Sequence, residues 1–365
     1  MDHLAFSPEL TRPDALVLRN LAAALVASST EKQIPNLETG TSDEETLTAL
    51  QAMNDPKDPG FEPTVFSSMG VHELRLPPFL DRWVLRPYIN MARVIARVDT
   101  DVVMITHLLL YFATSVPSAA FLIYTCGEFS NNGFWLADVI FPYITDPLMG
   151  HTWNSYYYHH VKHHHVEGNG PNDLSSTIRY QRDSALHFLH YTARFFFFIW
   201  LDLPLYFVRK RRLSLAAKAA FWEIGYYAVL YKLYRFNSHA SIVVFILPLL
   251  LLRAGLMLGN WGQHAFVDHD EPDSDYRSSI TLIDVPSNRY CFKDGYHTSH
   301  HLNPRRHWRE HPISFIKDKS LYASQNALAF HNIDYLMITA RLLMKDYVTL
   351  AKCMIPIGDQ AHMTL

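Results

Sequence analysis

The chain has 365 residues, enough for one large domain or two small ones. Hydrophobic residues make up 49% and charged residues only 18%, and with histidine neutral the net charge is −3, which excludes the basic field that nucleic-acid binding needs. Cys126, Cys291 and Cys353 lie far apart and form no CxxC pair, which argues against a disulfide framework or a thiolate zinc site and for a reducing surrounding.

Residues 1–75 are mixed, with "TSDEET" and "NDPKDPGFEP" as acidic and Pro/Gly-rich linkers. They read as a water-exposed, partly disordered extension with a helix at "PDALVLRNLAAALVA". Asp2, Glu9 and Asp14 near the start do not fit a cleaved signal peptide. The stretch "LPPFLDRWVLRPYINMARVIARVDTD" interleaves apolar residues with Arg, which suits a helix lying on a membrane surface.

Apolar runs follow. Val102 to Thr125 carries no formal charge and is long enough to span a bilayer, whereas Phe134 to Gly150 carries Asp138 and Asp146 and is weaker. "CGEFSNNG" is the turn between them. Ala216–Leu233 and Ser241–Leu258 form a second pair, whose Glu223 and Arg253 should face protein or the interface rather than lipid. By hydropathy Ala185–Val208 also qualifies. Treating it as an interfacial helix bent at Pro204 keeps both histidine-rich regions on one face and leaves "RKRR" at Arg209 to Arg212 cytosolic. The expected fold is therefore all-α: an integral membrane bundle of about four transmembrane helices plus interfacial helices, with a cytosolic His-rich metal-binding cap. Its expected parts are an extension at 1–75, a membrane domain at 76–320 and a C-terminal cytosolic helical tail at 321–365.

Of 21 histidines, a first group lies in 151–165: His151, His159, His160, His163, His164 and His165. A second lies in 264–301 and includes His264, His297, His300 and His301, while His269 sits in the acidic loop "DHDEPDSD". Residues three and four apart share a helix face, so His160 can point with His163 and His164, or with His164 and His165, at one spot. In "HTSHH" His297 stands likewise to His300 and His301, and in "NWGQH" Asn260 shares a face with His264. So many imidazoles exceed the needs of one tetrahedral zinc and suit two metal ions with open positions. Imidazole alone does not name the metal.

At these residues the sequence resembles the membrane histidine-box diiron superfamily of fatty-acyl desaturases and membrane alkane hydroxylases. "KDGYHTSHHLNP" resembles the last box of desaturases, and "HVKHHHVEGNGPNDLSS" the second box of hydroxylases, HxxxHH followed by Pro-x-Asp. The hydroxylase spacing selects His160, His164 and His165; the desaturase spacing selects His160, His163 and His164. "NWGQH" is similar to the element both groups carry before the last box, with His264 a metal ligand and Asn260 a supporting residue beside it. The first box, HxxxH or HxxxxH, has no counterpart here. Either His151 with His159 replaces it, or one metal site is incomplete.

The resemblance implies two iron ions, dioxygen as co-substrate, a fatty-acyl or lipid substrate, and an external electron donor of cytochrome b5 or ferredoxin type, since neither GxGxxG nor HPGG is present. The reaction it implies is desaturation, with hydroxylation of an aliphatic chain as the alternative. The membrane would be that of the endoplasmic reticulum, or the plasma membrane in a bacterium, with the site facing the cytosol. From other classes, a non-catalytic lipid-binding relative or a His-rich metal transporter competes.

Overall fold

In the computed structural model, residues 10–28, 42–55, 57–62, 77–96, 102, 105–106, 146–285, 287–288 and 291–362 are described. Two helices open the chain. The first, α1 (Arg12–Ser28), spaces Val17, Leu18, Leu21 and Leu25 three and four apart and buries them. Next comes α2 (Asp43–Asn54), which starts on a capping box: Ser42 Oγ accepts from Glu45 N–H at 3.2 Å, and the Glu45 carboxylate accepts from Ser42 N–H at 2.8 Å. It buries Thr46, Leu50 and Met53. Then follow α3 (Arg86–Ile95), the π-helical α4 (Tyr156–His164), α5 (Ala185–Arg209), α6 (Leu213–Phe236) and α7 (Leu247–Gln263).

The chain is not wholly helical. β1 (Ile280–Asp284) is buried along its whole length, and the run "ITLID" is rich in β-branched residues that favour a pleated, covered surface. It pairs in parallel with β2 (Leu328–His331), which pairs antiparallel with β3 (Met354–Ile355). The described chain is mostly helical, as expected, and this small three-stranded sheet is an addition to the all-α expectation. A parallel pair needs a crossover connection, and the crossover here carries the short helix α8 (His297–Leu302). After β2 comes α9 (Tyr335–Leu343).

The chain forms two compact units, Met1–Gly60 with Val161–Ile199 and Gly255–Leu365, and Phe61–His160 with Trp200–Ala254. In the first, Val17, Leu18 and Leu21 of α1 and Leu50 of α2 share a core with Ile283 of β1, Phe315, Tyr322, Ala329 of β2 and Ile355 of β3. Helices from the expected extension and strands from the expected tail thus pack in one core. In the second unit, Glu223 of α6 and Arg253 of α7 are each other's partners at 2.7 Å, and Tyr227 Oη donates to Glu223 at 2.6 Å. Burying either charge alone would be costly.

Among the described residues two helices, not four, are long and apolar enough to cross a membrane: Ala185–Arg209 and Ser238–Gln263. The second contains the expected span 241–258. The expected span 216–233 lies in α6, where Lys218, Glu223 and Lys232 interrupt the apolar sequence. The segment expected to bend at Pro204 is one 25-residue helix with that proline inside it. The expected span 102–125 and its partner 134–150 fall outside the described residues, apart from 102, 105–106 and 146–150.

Candidate metal centre

Three separate pieces of chain bring histidines together in the first unit. His164 ends α4, His264 follows α7 by one residue, and His297, His300 and His301 lie on α8. On α8 the spacing of three and four residues places His297 and His301 on one face, as in any helix. One nitrogen from each of His164, His264, His297 and His301 lies within 4.8 Å of the others, and all four residues are buried. His264 Nε2 is 3.2 Å from His297 Nε2, which is 3.1 Å from His301 Nε2. Donors that share one ion at roughly 2.1 Å each stand at such separations.

The protons are assigned by the rings' other partners. His264 Nδ1 lies 2.6 Å from the Ser278 carbonyl, which only accepts, so Nδ1 carries the proton and Nε2 presents a lone pair. His164 Nδ1–H donates to Asp173 Oδ2 at 2.7 Å. His301 Nδ1 stands 3.5 Å from Asp275 Oδ1. Three lone pairs therefore converge, and a proton on His297 Nε2 satisfies one neighbour at most. A cation answers all of them. Carboxylate or carbonyl partners on the far nitrogen are the usual way a metal-binding imidazole is oriented.

Burial keeps the His264, His297 and His301 rings neutral. It holds the His264 imidazole down at about 3, with His164 adding to the effect. His297 and His301 are pushed well below the usual histidine range by burial first and by neighbouring imidazoles second. An unprotonated ring is the form that binds metal.

A second group stands beside the first. His300 Nε2 is 3.0 Å from His165 Nε2, and both rings are partly exposed. Burial, followed by the nearby imidazoles, lowers His165 to about 2 and His300 to about 4. His160 precedes His165 by five residues on the same helical run, one turn in the i→i+5 pattern of a π-helix.

His163 behaves otherwise. Its Nε2 accepts from Leu174 N–H at 3.1 Å, which uses the lone pair a ligand would need. It belongs to neither group, whereas His164 belongs to the first and His160 and His165 to the second. His151 and His159 belong to neither group as well. Burial, with the Arg253 charge, lowers His151 to about 4. His269 is exposed.

The residues of "NWGQH" divide the work of placing His264. Asn260 Nδ2 donates to the Ser175 carbonyl at 2.9 Å and to Tyr191 Oη at 2.7 Å. The Ser175 amide and hydroxyl each donate to Asp173 Oδ1 at 2.8 Å. Asn260 thus reaches His164 through Ser175 and Asp173. Trp261 is fully buried and donates to the Arg182 carbonyl at 2.9 Å. A Cβ on Gly262 would lie 2.4 Å from the Tyr335 carbonyl oxygen, so only glycine lets α7 approach α9 this closely. Gly295, two residues before His297, is held in the same way: its Cβ would lie 2.3 Å from the Leu282 carbonyl oxygen. Asp173 carries a sequence signal, the Pro-x-Asp after the histidines. Asp275 and Ser278 carry none, because they meet the rings only through the fold.

Helices that gather imidazoles around two spots, one of them buried, form a histidine cluster compatible with a metal site. A family model described as fatty acid desaturase matches residues 127–328, more than half of the chain and a stretch that holds both groups of histidines. The chain belongs to the fatty acid desaturase family, whose members are desaturase-like oxidoreductases. No curated protein and no solved structure matches it.

Proposed function

We propose that this protein is an O2-dependent membrane desaturase that introduces a double bond into a fatty-acyl or lipid chain, using two iron ions. The observation that carries the reading is the convergence of the His164, His264 and His301 rings on His297, with their other nitrogens held by acceptors. We assign one ion to His164, His264, His297 and His301, and the other to His160, His165 and His300. Iron bound there supplies the reduction of dioxygen and the removal of hydrogen from an unactivated C–H bond. The chain's own part is to keep the donors unprotonated, fixed in direction and dry. Asp173 and the Ser278 carbonyl hold two rings by their Nδ1 protons. The half-buried second group leaves access for substrate and dioxygen.

Electrons come from a separate donor of cytochrome b5 or ferredoxin type, because the sequence has no nucleotide or haem motif of its own. The membrane we assign is the endoplasmic reticulum, or the plasma membrane in a bacterium, with the histidines on the cytosolic side. The organisation we assign keeps a membrane part at 76–320, between an N-terminal part at 1–75 and a C-terminal part at 321–365. Hydroxylation of an aliphatic chain is the second reading, favoured by one observation: the turned-away His163 leaves the HxxxHH spacing.

The test is to express the chain in cells with a defined lipid pool and measure both metal content and extracted acyl chains. About two irons per chain and chains lacking two hydrogens support desaturation, while chains that gain an oxygen atom select hydroxylation. A purified protein that binds no metal rejects both.

A further inference from the structure

We propose that the N-terminal helix α1 positions the metal-binding helix α8, through Asp14 acting on Lys293 and Tyr296; the inference rests on the assignment of His297 and His301 as ligands. Lys293 Nζ is 2.9 Å from Asp14 Oδ2, and both side chains are 1% exposed. The same ammonium donates to Thr11 Oγ1 at 2.5 Å, and Tyr296 Oη donates to Asp14 Oδ1 at 2.8 Å. One carboxylate therefore gathers two residues that flank Gly295 on the approach to His297.

The other end of each residue sets the start of α8. Tyr296 N–H donates to the Lys293 carbonyl at 3.0 Å, and the Tyr296 carbonyl accepts from His300 N–H at 3.0 Å. Tyr296 is the residue on which α8 begins, and its side chain makes no capping bond to that helix. Its hydroxyl is spent on Asp14 instead. Moving Tyr296 moves the first turn of α8, which carries two rings of the buried group and one of the half-buried group.

Two physical features show that this contact holds the loop rather than merely resting on it. Phe292 and Lys293 both adopt left-handed backbone angles, with φ of 56° and 58°. Non-glycine residues hold that conformation only where the surroundings enforce it. In addition, the Lys293 ammonium sits at the N-terminus of α1, where Thr11 Oγ1 accepts from Asp14 N–H at 3.3 Å. A helix N-terminus favours negative charge and opposes a cation. Asp14 is the group that admits the lysine there. Tyr296 also packs in the core with Val17, Leu18 and Leu21 of α1, so the polar anchor and the apolar contact come from one helix. Residues 11–28 lie outside the stretch that matches the desaturase family, yet their carboxylate reaches its histidine helix.

The experiment measures how fast the full-length protein, loaded with ferrous iron, loses metal to a chelator. Asp14→Asn keeps the size and an acceptor for Tyr296 but removes the charge. It should lose iron about 10-fold faster, the lower end of the effect seen when a ligand's supporting partner is removed. Asp14→Glu should restore the wild-type rate in large part. Thr46→Val serves as a control, because Thr46 is buried in the same N-terminal helices and accepts from Asn20 Nδ2 at 3.2 Å. It should lower thermal stability and leave the rate unchanged. Equal rates for Asp14→Asn and wild type overturn the proposal, and so does equal acceleration by Thr46→Val, which marks general loosening. A wild-type protein that holds no iron overturns the metal assignment itself, and this inference with it.

Discussion

The two groups of histidines differ in depth and in support. His164, His264, His297 and His301 are all buried, and three of them have the far nitrogen at an acceptor. His165 and His300 are half-buried and stand 3.0 Å apart. A dry, braced set of donors keeps an ion in one geometry, since nothing in it can turn without leaving a buried polar atom unmatched. A half-buried set can admit a further ligand. The contrast teaches that one sequence pattern, the repeated HH doublet, serves two roles. In each doublet one ring faces inward (His164, His301) and its neighbour goes to the half-buried group (His165, His300).

The largest expected effect comes from the buried group. His297→Ala removes the ring that stands between His264 and His301, and should abolish turnover with a loss of about one iron per chain while far-UV circular dichroism stays as in wild type. His300→Ala should also abolish turnover, but the iron that remains should resist chelation as slowly as the buried iron of the wild type. If both variants lose all metal together, the two groups are not separate sites and the comparison fails.

Asp173→Ala should be milder than removal of a ligand. It frees the His164 ring without deleting it, and about 10- to 100-fold weaker metal binding is expected. Metal titration of the purified variant measures this. An unchanged affinity would mean that burial alone orients His164.

Acidity should part the two groups. A folded-state value below the unfolded one, 6.5 for histidine, means that the unfolded chain binds more protons in between, so stability is greatest above about 6.5 and falls with pH. For His300 the loss runs from about 6.5 down to about 4, and for His264 it continues to about 3. His300 takes a proton before His264, so iron should leave the half-buried group first as pH falls, although His165 beside it stays neutral to about 2. Stepwise acidification followed by metal analysis checks the order.

The smallest effect is expected at His163. Its Nε2 already accepts the Leu174 amide, so His163→Ala should leave iron content at the wild-type level and cost only some stability. His151→Ala and His159→Ala should likewise leave iron content unchanged. A loss of about one iron in either would show that the missing first box is supplied there.

Much of the site was legible in the sequence because helix geometry is local. The spacing of His297, His300 and His301, and of Asn260 and His264, needs only the rise and turn of a helix to be read. Pro-x-Asp after the second box pointed toward Asp173 for the same reason of proximity. The choice between His163 and His165 was not legible. Five histidines within the seven residues 159–165 offer equivalent spacings, and only the π-helical α4 and the Leu174 amide separate them.

The sequence by itself pointed to the family: its histidines, their doublets and the apolar runs around them resemble a desaturase, and the family match over residues 127–328 agrees. Tertiary structure decided the rest. The sheet formed by β1, β2 and β3 joins residues far apart in the chain, and no local pattern announces a parallel pair whose crossover carries α8. Ser278 and Asp275 became partners of His264 and His301 only through folding. Asp14, in a stretch that reads as a solvated extension, became the buried counter-ion of Lys293, 279 positions away along the chain. Such a pairing cannot be read from composition. A carboxylate and an ammonium are each stable in water when alone, and only burial makes one require the other.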